Sequence, residues 1–216
     1  MSKVRAVVFD VGETLVDETR HWGEWADWLG IPRFTFFAVL GGVIARGEHH
    51  ARAFQIFRPG FDLVAARQQR IVEGWRYEFL ECDFYPDVAP CIDALTRQGI
   101  RIGIAGNQPA EAERALTKLG LALDVVLSSA SLGFEKPDPR FFAAVIAAFA
   151  PLSAGEIAYV GDRLDNDIVP ARQAGMRAIC LRRGPWAHLN GSDQAPDAEI
   201  RIDSLRDLPA SLDKLK

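Results

Sequence analysis

The chain has 216 residues, of which 49% are hydrophobic and 25% are charged, an ordinary composition for a globular protein. This length suits one large domain, or a core domain with a smaller domain inserted into it. The formal net charge of −4 lacks the basic excess typical of proteins that bind nucleic acid or an anionic membrane, so neither partner is predicted.

Cysteine usage and hydropathy indicate a soluble protein of a reducing compartment. The three cysteines, Cys82, Cys91 and Cys180, include no closely spaced pair, which argues against a disulfide framework or a zinc knuckle. The longest apolar stretches, 34–45 and 141–152, are too short to cross a bilayer and are interpreted as buried helices. The first apolar run is also too short for a signal peptide. We therefore expect a cytoplasmic protein, a monomer or a homodimer.

The first predicted element is a buried strand over Val4 to Phe9, an apolar run interrupted only by Arg5. The run stops at Asp10, and a turn containing Gly12 follows at once. Ligands bind outside the carboxyl ends of the strands in an open parallel sheet, which would place Asp10 where chemistry is done. Asp also commonly caps the turn after a strand, and this segment alone does not separate the two interpretations.

The next seventy residues or so predict helices only. Helical spacing relates Trp22, Trp25, Trp28 and Leu29, and it also relates the apolar residues of 61–80, whereas residues 34–44 are strongly apolar. Breaks at Gly30-Ile31-Pro32 and Arg58-Pro59-Gly60 separate these stretches. We therefore predict an all-helical domain, residues 16–84, inserted into an α/β core domain formed by residues 1–15 and 85–216.

From Tyr85 onward, predicted strands alternate with predicted helices. The strands after the first are residues 100–105, 125–127, 157–160, 178–181 and 198–202. The helices begin at Pro86-Asp87, near Pro109, at Asp138-Pro139 and near Asn166, and three of them end at Gly99, Gly120 and Gly175. Gly191-Ser192-Asp193 is interpreted as a loop. This alternation predicts an α/β fold, a doubly wound parallel sheet covered on both faces.

Four predicted strand ends bring polar groups to one edge of that sheet. They are Asp10, Gly106-Asn107, the Glu135-Lys136-Pro137 turn, and Gly161-Asp162 with Asp167. Converging carboxylates without His or Cys are the ligand set of a hard divalent cation such as Mg²⁺. A lysine nearby suits a phosphoryl oxygen, and a carboxylate beside a metal can act as a nucleophile that forms an aspartyl-phosphate.

Four segments of the chain resemble, in order, the motifs of the haloacid dehalogenase superfamily. They are Phe9-Asp10-Val11-Gly12-Glu13-Thr14-Leu15, Ile104-Ala105-Gly106-Asn107, Glu135-Lys136-Pro137-Asp138-Pro139, and Val160-Gly161-Asp162 with Asp167-Ile168. The resemblance spans the whole chain and implies a Rossmann-like core. The predicted helical block lies where this superfamily carries its small helical cap.

The resemblance also implies roles for individual residues. Asp10 would be the nucleophile that takes the phosphoryl group, and Mg²⁺ would be held by Asp10, Asp162 and the backbone carbonyl of Gly12. Asn107 would contact the phosphoryl group, largely through its backbone. Lys136 would bridge Asp10 and the transferring group and balance the charge on its oxygens.

Two further residues have supporting roles in this resemblance. Asp167 would orient Lys136 or a metal-bound water, and Thr14 would brace the loop that follows Asp10. These two residues complete the predicted site.

Two positions depart from the superfamily pattern. Phosphatases of this superfamily carry a second Asp where this chain has Gly12, and that Asp serves as general acid and base, a contribution of typically ~10²- to 10⁴-fold. Glu13 is a possible stand-in, although a shift of one residue on a tight turn directs its carboxylate elsewhere. Gly106 stands where Ser or Thr is usual for binding the phosphoryl group.

Two hypotheses remain after other branches are considered. Dehalogenases need no metal, which the acidic pair Asp162 and Asp167 argues against, and phosphonate-cleaving relatives use a cap lysine, whereas no lysine lies between Lys3 and Lys118. The first hypothesis is a Mg²⁺-dependent phosphohydrolase acting on a small phosphorylated metabolite, with acyl phosphates the best suited because their leaving groups need little protonation. The alternative is a catalytically weak or inactive protein that binds metal and ligand in a regulatory role.

Overall fold

The computed structural model describes residues 3–118, 120–190 and 198–215, and the loop predicted at Gly191-Ser192-Asp193 lies outside them. Six strands form one sheet, and every neighbouring pair is parallel. The strands are β1 (Ala6–Phe9), β2 (Arg101–Gly106), β3 (Val125–Ser128), β4 (Ile157–Gly161), β5 (Arg177–Leu181) and β6 (Ile200–Ile202). The predicted α/β fold with a parallel sheet is confirmed, and each predicted strand agrees with an observed one to within a few residues.

Strand order explains where a ligand site can form. The order across the sheet is β3-β2-β1-β4-β5-β6, so the chain builds outward from β1 to β3 and then returns to the other side of β1. The direction of winding therefore reverses between β1 and β4. Such a switch point opens a crevice at the carboxyl ends of the two strands. Asp10 and Asp162 directly follow these strands.

The α-helices connect the strands and also form a separate helical unit. They are α1 (Thr19–Leu29), α2 (Arg33–Ala45), α3 (Ala51–Phe57), α4 (Leu63–Val72), α5 (Val88–Arg97), α6 (Glu111–Thr117), α7 (Ser129–Leu132), α8 (Pro139–Ala148), α9 (Val169–Gln173), α10 (Gly184–Leu189) and α11 (Leu208–Ser211). The predicted start of α8 is confirmed, because the Asp138 side chain accepts a hydrogen bond from the Arg140 N–H and Pro139 occupies the first turn.

Two apolar layers cover the faces of the sheet. Along β1, Val7 and Phe9 belong to one buried cluster, whereas Ala6 and Val8 belong to another. Successive side chains of a strand point to opposite faces, so a strand covered on both sides needs a continuous apolar run. This burial holds the strand end that carries Asp10 in place, and the Asp10 N–H donates to Val160 O at 2.9 Å.

The second compact unit, Glu18–Glu78, contains α1 to α4 and no strand among its described residues. Its centre is aromatic: the rings of Trp25 and Phe36 each meet that of Phe54 edge-on, with centroids 5.1 and 5.4 Å away. Trp25 is buried. The tryptophans at helical spacing in α1 therefore include a residue of this unit's core.

The helical interpretation of residues 61–80 is wrong beyond Val72. Helix α4 ends there, and Gly74 has a φ of +97°, which a right-handed helix does not accommodate. Past this break the Trp75 indole N–H donates to Glu24 Oε2 at 2.8 Å, so Trp75 belongs to a chain segment that folds back onto α1. Trp75 and Phe79 keep the helical spacing of the apolar residues in α4, but they lie outside that helix.

None of the described helices is by itself both long and apolar enough to cross a bilayer. Helices α1 and α2 meet the length and composition requirement as a pair, but they are bent by 114° relative to each other.

Candidate active site

Three buried carboxylates meet at the switch point of the sheet. Asp10, Asp162 and Asp167 each place an oxygen within 4.8 Å of the others. Asp10 follows β1 and Asp162 follows β4, whereas Asp167 lies in a π-helical turn, Leu164–Ile168, that precedes α9. In this wide turn the Ile168 N–H donates to Arg163 O at 3.2 Å, and the Arg163 N–H donates to Asp167 Oδ2 at 3.0 Å. The predicted helix near Asn166 thus begins as a turn that directs a carboxylate into the site.

Lys136 lies between two of these carboxylates. Its Nζ donates to Asp10 Oδ1 and to Asp167 Oδ1, each at 2.6 Å, and its side chain is 1% exposed. The side chain of Asn107 holds the lysine backbone by a pair of hydrogen bonds. The Lys136 N–H donates to Asn107 Oδ1 at 2.7 Å, and Asn107 Nδ2 donates to Lys136 O at 2.9 Å. Asn107 therefore fixes the turn that carries Lys136, a contact that the sequence did not predict.

Burial and excess negative charge set the pKa values of the site. Burial raises the pKa of Asp162 well above its usual range, and the charges of Asp167, Asp10 and Glu13 raise it further against Lys136. Burial also raises the pKa of Asp167 to about 6, although Lys136 opposes the shift. Burial alone would lower the pKa of Lys136, but Asp10 and Asp167 outweigh it and raise that pKa. The lysine thus stays protonated and neutralises one of three acids.

The donor set fits a divalent cation. Asp162 Oδ2 is buried and has no hydrogen-bond partner among the described residues, and it lies in a group of three carboxylates with one cation. A buried carboxylate oxygen without a hydrogen bond destabilises the fold unless a positive charge binds it. Oxygen-only ligands suit Mg²⁺. Asp10 and Asp162 are therefore the candidate metal-binding residues, and Asp167 lies beside them with its two oxygens bound by Lys136 and the Arg163 N–H.

Two glycines allow the carboxylates to approach the backbone. A Cβ on Gly161 would lie 2.4 Å from Asp167 Oδ2, and a Cβ on Gly106 would lie 2.8 Å from Asp10 Oδ1. Any larger residue would therefore displace a carboxylate of the site or the strand itself. Gly106, where Ser or Thr was the expected residue, leaves that space to Asp10.

Glu13 is directed into the protein rather than into solvent. It is 6% exposed, and the Tyr85 hydroxyl donates to its Oε2 at 2.7 Å. A Cβ on Gly184 would lie 2.5 Å from the Cβ of Glu13, so its side chain packs directly on the backbone at the start of α10. Glu13 also has a φ of +54°, which is uncommon for a residue other than glycine.

Thr14 is fully buried, and its carbonyl oxygen accepts a hydrogen bond from Arg183 at 2.9 Å. Its hydroxyl has no hydrogen-bond partner among the described residues. The sequence did not predict Arg183 or Tyr85 beside the site. The available signal was weak: Arg183 closely follows a strand, β5, whose carboxyl end lies on the same edge of the sheet as Asp10 and Asp162.

A family model described as haloacid dehalogenase-like hydrolase matches residues 4–175. The chain belongs to this family. Among curated proteins, the chain is similar to a glyceraldehyde 3-phosphate phosphatase of Methanopyrus kandleri, 33% identical over 71% of this chain and 69% of that protein. A phosphoserine phosphatase of Thermus thermophilus is 30% identical over 66% of this chain but only 56% of its own length.

Solved structures of haloacid dehalogenase-like proteins share the fold. A HAD-hydrolase of Bacillus subtilis, YfnB, bound to magnesium, has a TM-score of 0.70 at 18% identity, covering 98% of this chain and 99% of its own. A HAD phosphatase of Thermococcus onnurineus has a TM-score of 0.62 at 24% identity, covering 97% and 98%. At these low sequence identities, the similarities establish a shared fold only.

Within this haloacid dehalogenase-like hydrolase, the predicted site residues form two groups. One group contains the three carboxylates and the residues next to them, namely Asp10, Gly106, Asn107, Lys136, Asp162 and Asp167. The other group, Glu13 and Thr14, lies on the loop after Asp10 and is held by Tyr85 and Arg183. Gly12, between the groups, is partly buried and forms an isolated parallel bridge with Val16.

Proposed function

We propose that this hydrolase is a Mg²⁺-dependent phosphatase that acts on a small phosphorylated metabolite through an aspartyl-phosphate on Asp10. The observation that carries the proposal is the buried ion pair of Asp10 and Lys136 at the switch point, beside Asp162 and Asp167. Two curated relatives are named as phosphatases of small metabolites. The helical unit, Glu18–Glu78, would then correspond to the small helical cap of the haloacid dehalogenase superfamily. A cytoplasmic location and a monomeric or homodimeric state stay predictions.

In the proposed reaction, a carboxylate oxygen of Asp10 attacks phosphorus while the bond from phosphorus to the leaving oxygen breaks. Lys136 balances the charge on the transferring group, and Asp167 and Asn107 hold Lys136 at that position. Mg²⁺ bound by Asp10 and Asp162, with the carbonyl of Gly12 as a further predicted ligand, would supply positive charge to the phosphoryl oxygens. Water then attacks phosphorus, inorganic phosphate leaves, and the Asp10 carboxylate is restored.

The leaving oxygen needs a proton unless its pKa is low, and this determines the substrate class. Position 12 has no side chain to supply a proton, and the Glu13 carboxylate is engaged by Tyr85 and by the backbone at Gly184. We therefore assign Glu13 to support of the loop rather than to proton transfer. The substrates that this site would hydrolyse best are acyl phosphates, whose leaving carboxylates need no proton at neutral pH.

A regulatory, weakly catalytic protein is the second candidate, and the same observation at positions 12 and 13 favours it. Such a protein would keep the Asp10–Lys136 pair and the acidic site for binding, while the proton transfer that speeds turnover of ordinary esters is lost. The two candidates differ in whether any phosphate with a low-pKa leaving group is turned over.

Turnover of acetyl phosphate, an aryl phosphate and glycerol phosphate with Mg²⁺ separates the candidates. We expect the highest kcat/KM for acetyl phosphate, and a fall of ~10²-fold or more towards glycerol phosphate, because an unprotonated alkoxide leaves slowly. Asp10→Asn should abolish all three activities. No turnover above that of Asp10→Asn would refute the phosphatase and support the binding role, whereas equal rates on all three would refute the substrate preference.

A further inference from the structure

Tyr85 and Arg183, from distant parts of the chain, hold three consecutive residues of the loop after Asp10. The Tyr85 hydroxyl donates to Glu13 Oε2 at 2.7 Å, and the Tyr85 N–H donates to Leu15 O at 3.0 Å. Between them, Arg183 donates to Thr14 O at 2.9 Å. The loop is therefore held through the side chain of Glu13 and through the carbonyl oxygens of Thr14 and Leu15.

Arg183 and Tyr85 also hold each other. The Arg183 guanidinium lies over the Tyr85 ring, 4.1 Å from its centroid, a contact in which the ring face attracts the cation. Arg183 is 11% exposed at its side chain, so solvent screens this contact little. The ring of Tyr85 thus positions the guanidinium that binds Thr14, while its hydroxyl binds Glu13.

Asp87 anchors Arg183 to the sheet edge. Its Oδ2 accepts a hydrogen bond from Arg183 Nη2, a second from Ser204 Oγ at 2.7 Å and a third from the Leu205 N–H at 3.0 Å. Burial would raise the pKa of Asp87, but the hydrogen bonds of Arg183 and Ser204 outweigh it and hold that pKa below its usual value. Asp87 is therefore ionised, as a buried partner of Arg183 must be.

We propose that Tyr85, Asp87 and Arg183, here called the supporting cluster, are positioning residues that hold the loop after Asp10 in the geometry needed for attack on phosphorus. The proposal rests on the proposed function. Displacing a reacting group by ~1 Å can cost 10²-fold in rate, and Asp10 is joined to residues 13–15 by only two residues. Arg183 lies beyond residue 175, where the family match ends.

The cluster also accounts for the unusual backbone of Glu13. A non-glycine residue at positive φ is strained and persists only where its surroundings determine the backbone conformation. The hydrogen bond of Tyr85 and the close packing on Gly184 are such determinants. The cluster thus holds a strained turn that would otherwise relax and carry Asp10 with it.

Hydrogen exchange of the loop amides tests this independently of activity. Arg183→Gln should speed exchange at residues 13–16 by about tenfold, because the Thr14 carbonyl loses its donor and the local opening equilibrium shifts. Arg182→Gln is the matched control, because Arg182 pairs with Asp203 at side-chain exposures of 43% and 68%. Unchanged exchange in Arg183→Gln would overturn the proposal.

Kinetics then distinguishes positioning from stability alone. With acetyl phosphate and Mg²⁺, Arg183→Gln should lower kcat by about 10- to 100-fold with KM within about threefold, since the reacting carboxylate moves while substrate contacts remain. Arg183→Lys, which keeps the charge, should recover part of kcat. Wild-type kcat in Arg183→Gln would overturn the proposal even if exchange were faster.

Tyr85→Phe keeps the test valid if Arg183→Gln does not fold. It removes only the hydroxyl, and its effect on kcat should not add to that of Glu13→Met, because each variant removes one partner of the same hydrogen bond. Additive losses would refute that link. If wild-type protein turns over no phosphate, faster exchange in Tyr85→Phe and Arg183→Gln would support the cluster while the proposed function fails.

Discussion

Position 12 carries no side chain, and the neighbouring carboxylate of Glu13 is held by Tyr85. Gly12 does not have a positive φ, unlike nine other glycines of the described chain, so its backbone accommodates an L-residue. A carboxylate placed there would follow Asp10 by two residues, where superfamily phosphatases carry their acid and base. Gly12→Asp should therefore raise kcat on glycerol phosphate by up to ~10²- to 10⁴-fold, raise it less on an aryl phosphate and least on acetyl phosphate.

Gly12→Asn is the control for this prediction, because an amide has almost the same shape but transfers no proton. A folded Gly12→Asp variant with an unchanged or lower rate on both esters would contradict our account of the missing proton. An equal gain in Gly12→Asn would assign the effect to loop stiffness, since glycine is the most flexible residue.

At the residue scale, sequence and structure agree where a residue ends a strand and differ where contacts span the chain. Asp10 and Asp162 follow adjacent strands of one sheet, so their proximity could be predicted from the order of elements. The contacts of Tyr85 with Glu13 and of Arg183 with Thr14 could not be predicted, because no periodicity links residues 72 or 169 positions apart. Asn107 shows the same limit, since its side chain binds the Lys136 backbone.

At the scale of elements, caps and glycines gave accurate boundaries, while apolar spacing alone did not. Gly99 and Gly175 follow α5 and α9 with φ of +74° and +82°, as their predicted positions at helix ends require. Spacing failed after α4, where the chain turns at Gly74 and later apolar residues pack elsewhere. The π-helical turn before α9 was also outside prediction, because its geometry follows from the contacts of Asp167.

Helix α1 carries a pH-sensitive residue, His21. Burial lowers its pKa from 6.5 to about 4, and the charge of Arg70 adds to the shift while Glu24 opposes it. Between pH 6.5 and 4 the unfolded chain therefore binds a proton that the folded chain does not, so stability falls as pH drops through this window. The loss should reach about 2 kcal/mol at pH 5, and His21→Gln should remove it.

Urea unfolding at pH 7.5 and pH 5 measures this loss. Tryptophan fluorescence is a suitable signal because Trp22, Trp25, Trp28 and Trp75, four of the five tryptophans, lie in the helical unit. His49→Gln, which changes an exposed histidine of the same unit, should keep the wild-type pH dependence. The same loss in His21→Gln as in wild type would contradict the assignment.

At the scale of the whole molecule, the net charge of −4 is ordinary, whereas the candidate active site concentrates three acids around one lysine. Burial and the neighbouring acids raise the pKa of Asp162, which means that its ionised form is unfavourable in the metal-free fold. A bound cation would reverse this effect, because it would bind the ionised carboxylates of the folded chain. Metal binding and folding are therefore expected to be coupled.

Mg²⁺ should raise the thermal midpoint of the wild-type protein, and EDTA should reverse the shift. At one hundred times Kd the gain is about 2.7 kcal/mol, or about 5–10 °C for a chain of this size. Asp162→Asn should lose the gain and yet be at least as stable as wild type in EDTA, since it removes an unfavourable buried charge. Asp165→Asn changes an acid that is 67% exposed at its side chain and should respond to Mg²⁺ as wild type does. An equal Mg²⁺ shift in Asp162→Asn would place the ion elsewhere, whereas loss of the shift in Asp162→Asn and its retention in Asp165→Asn would assign the ion to Asp162.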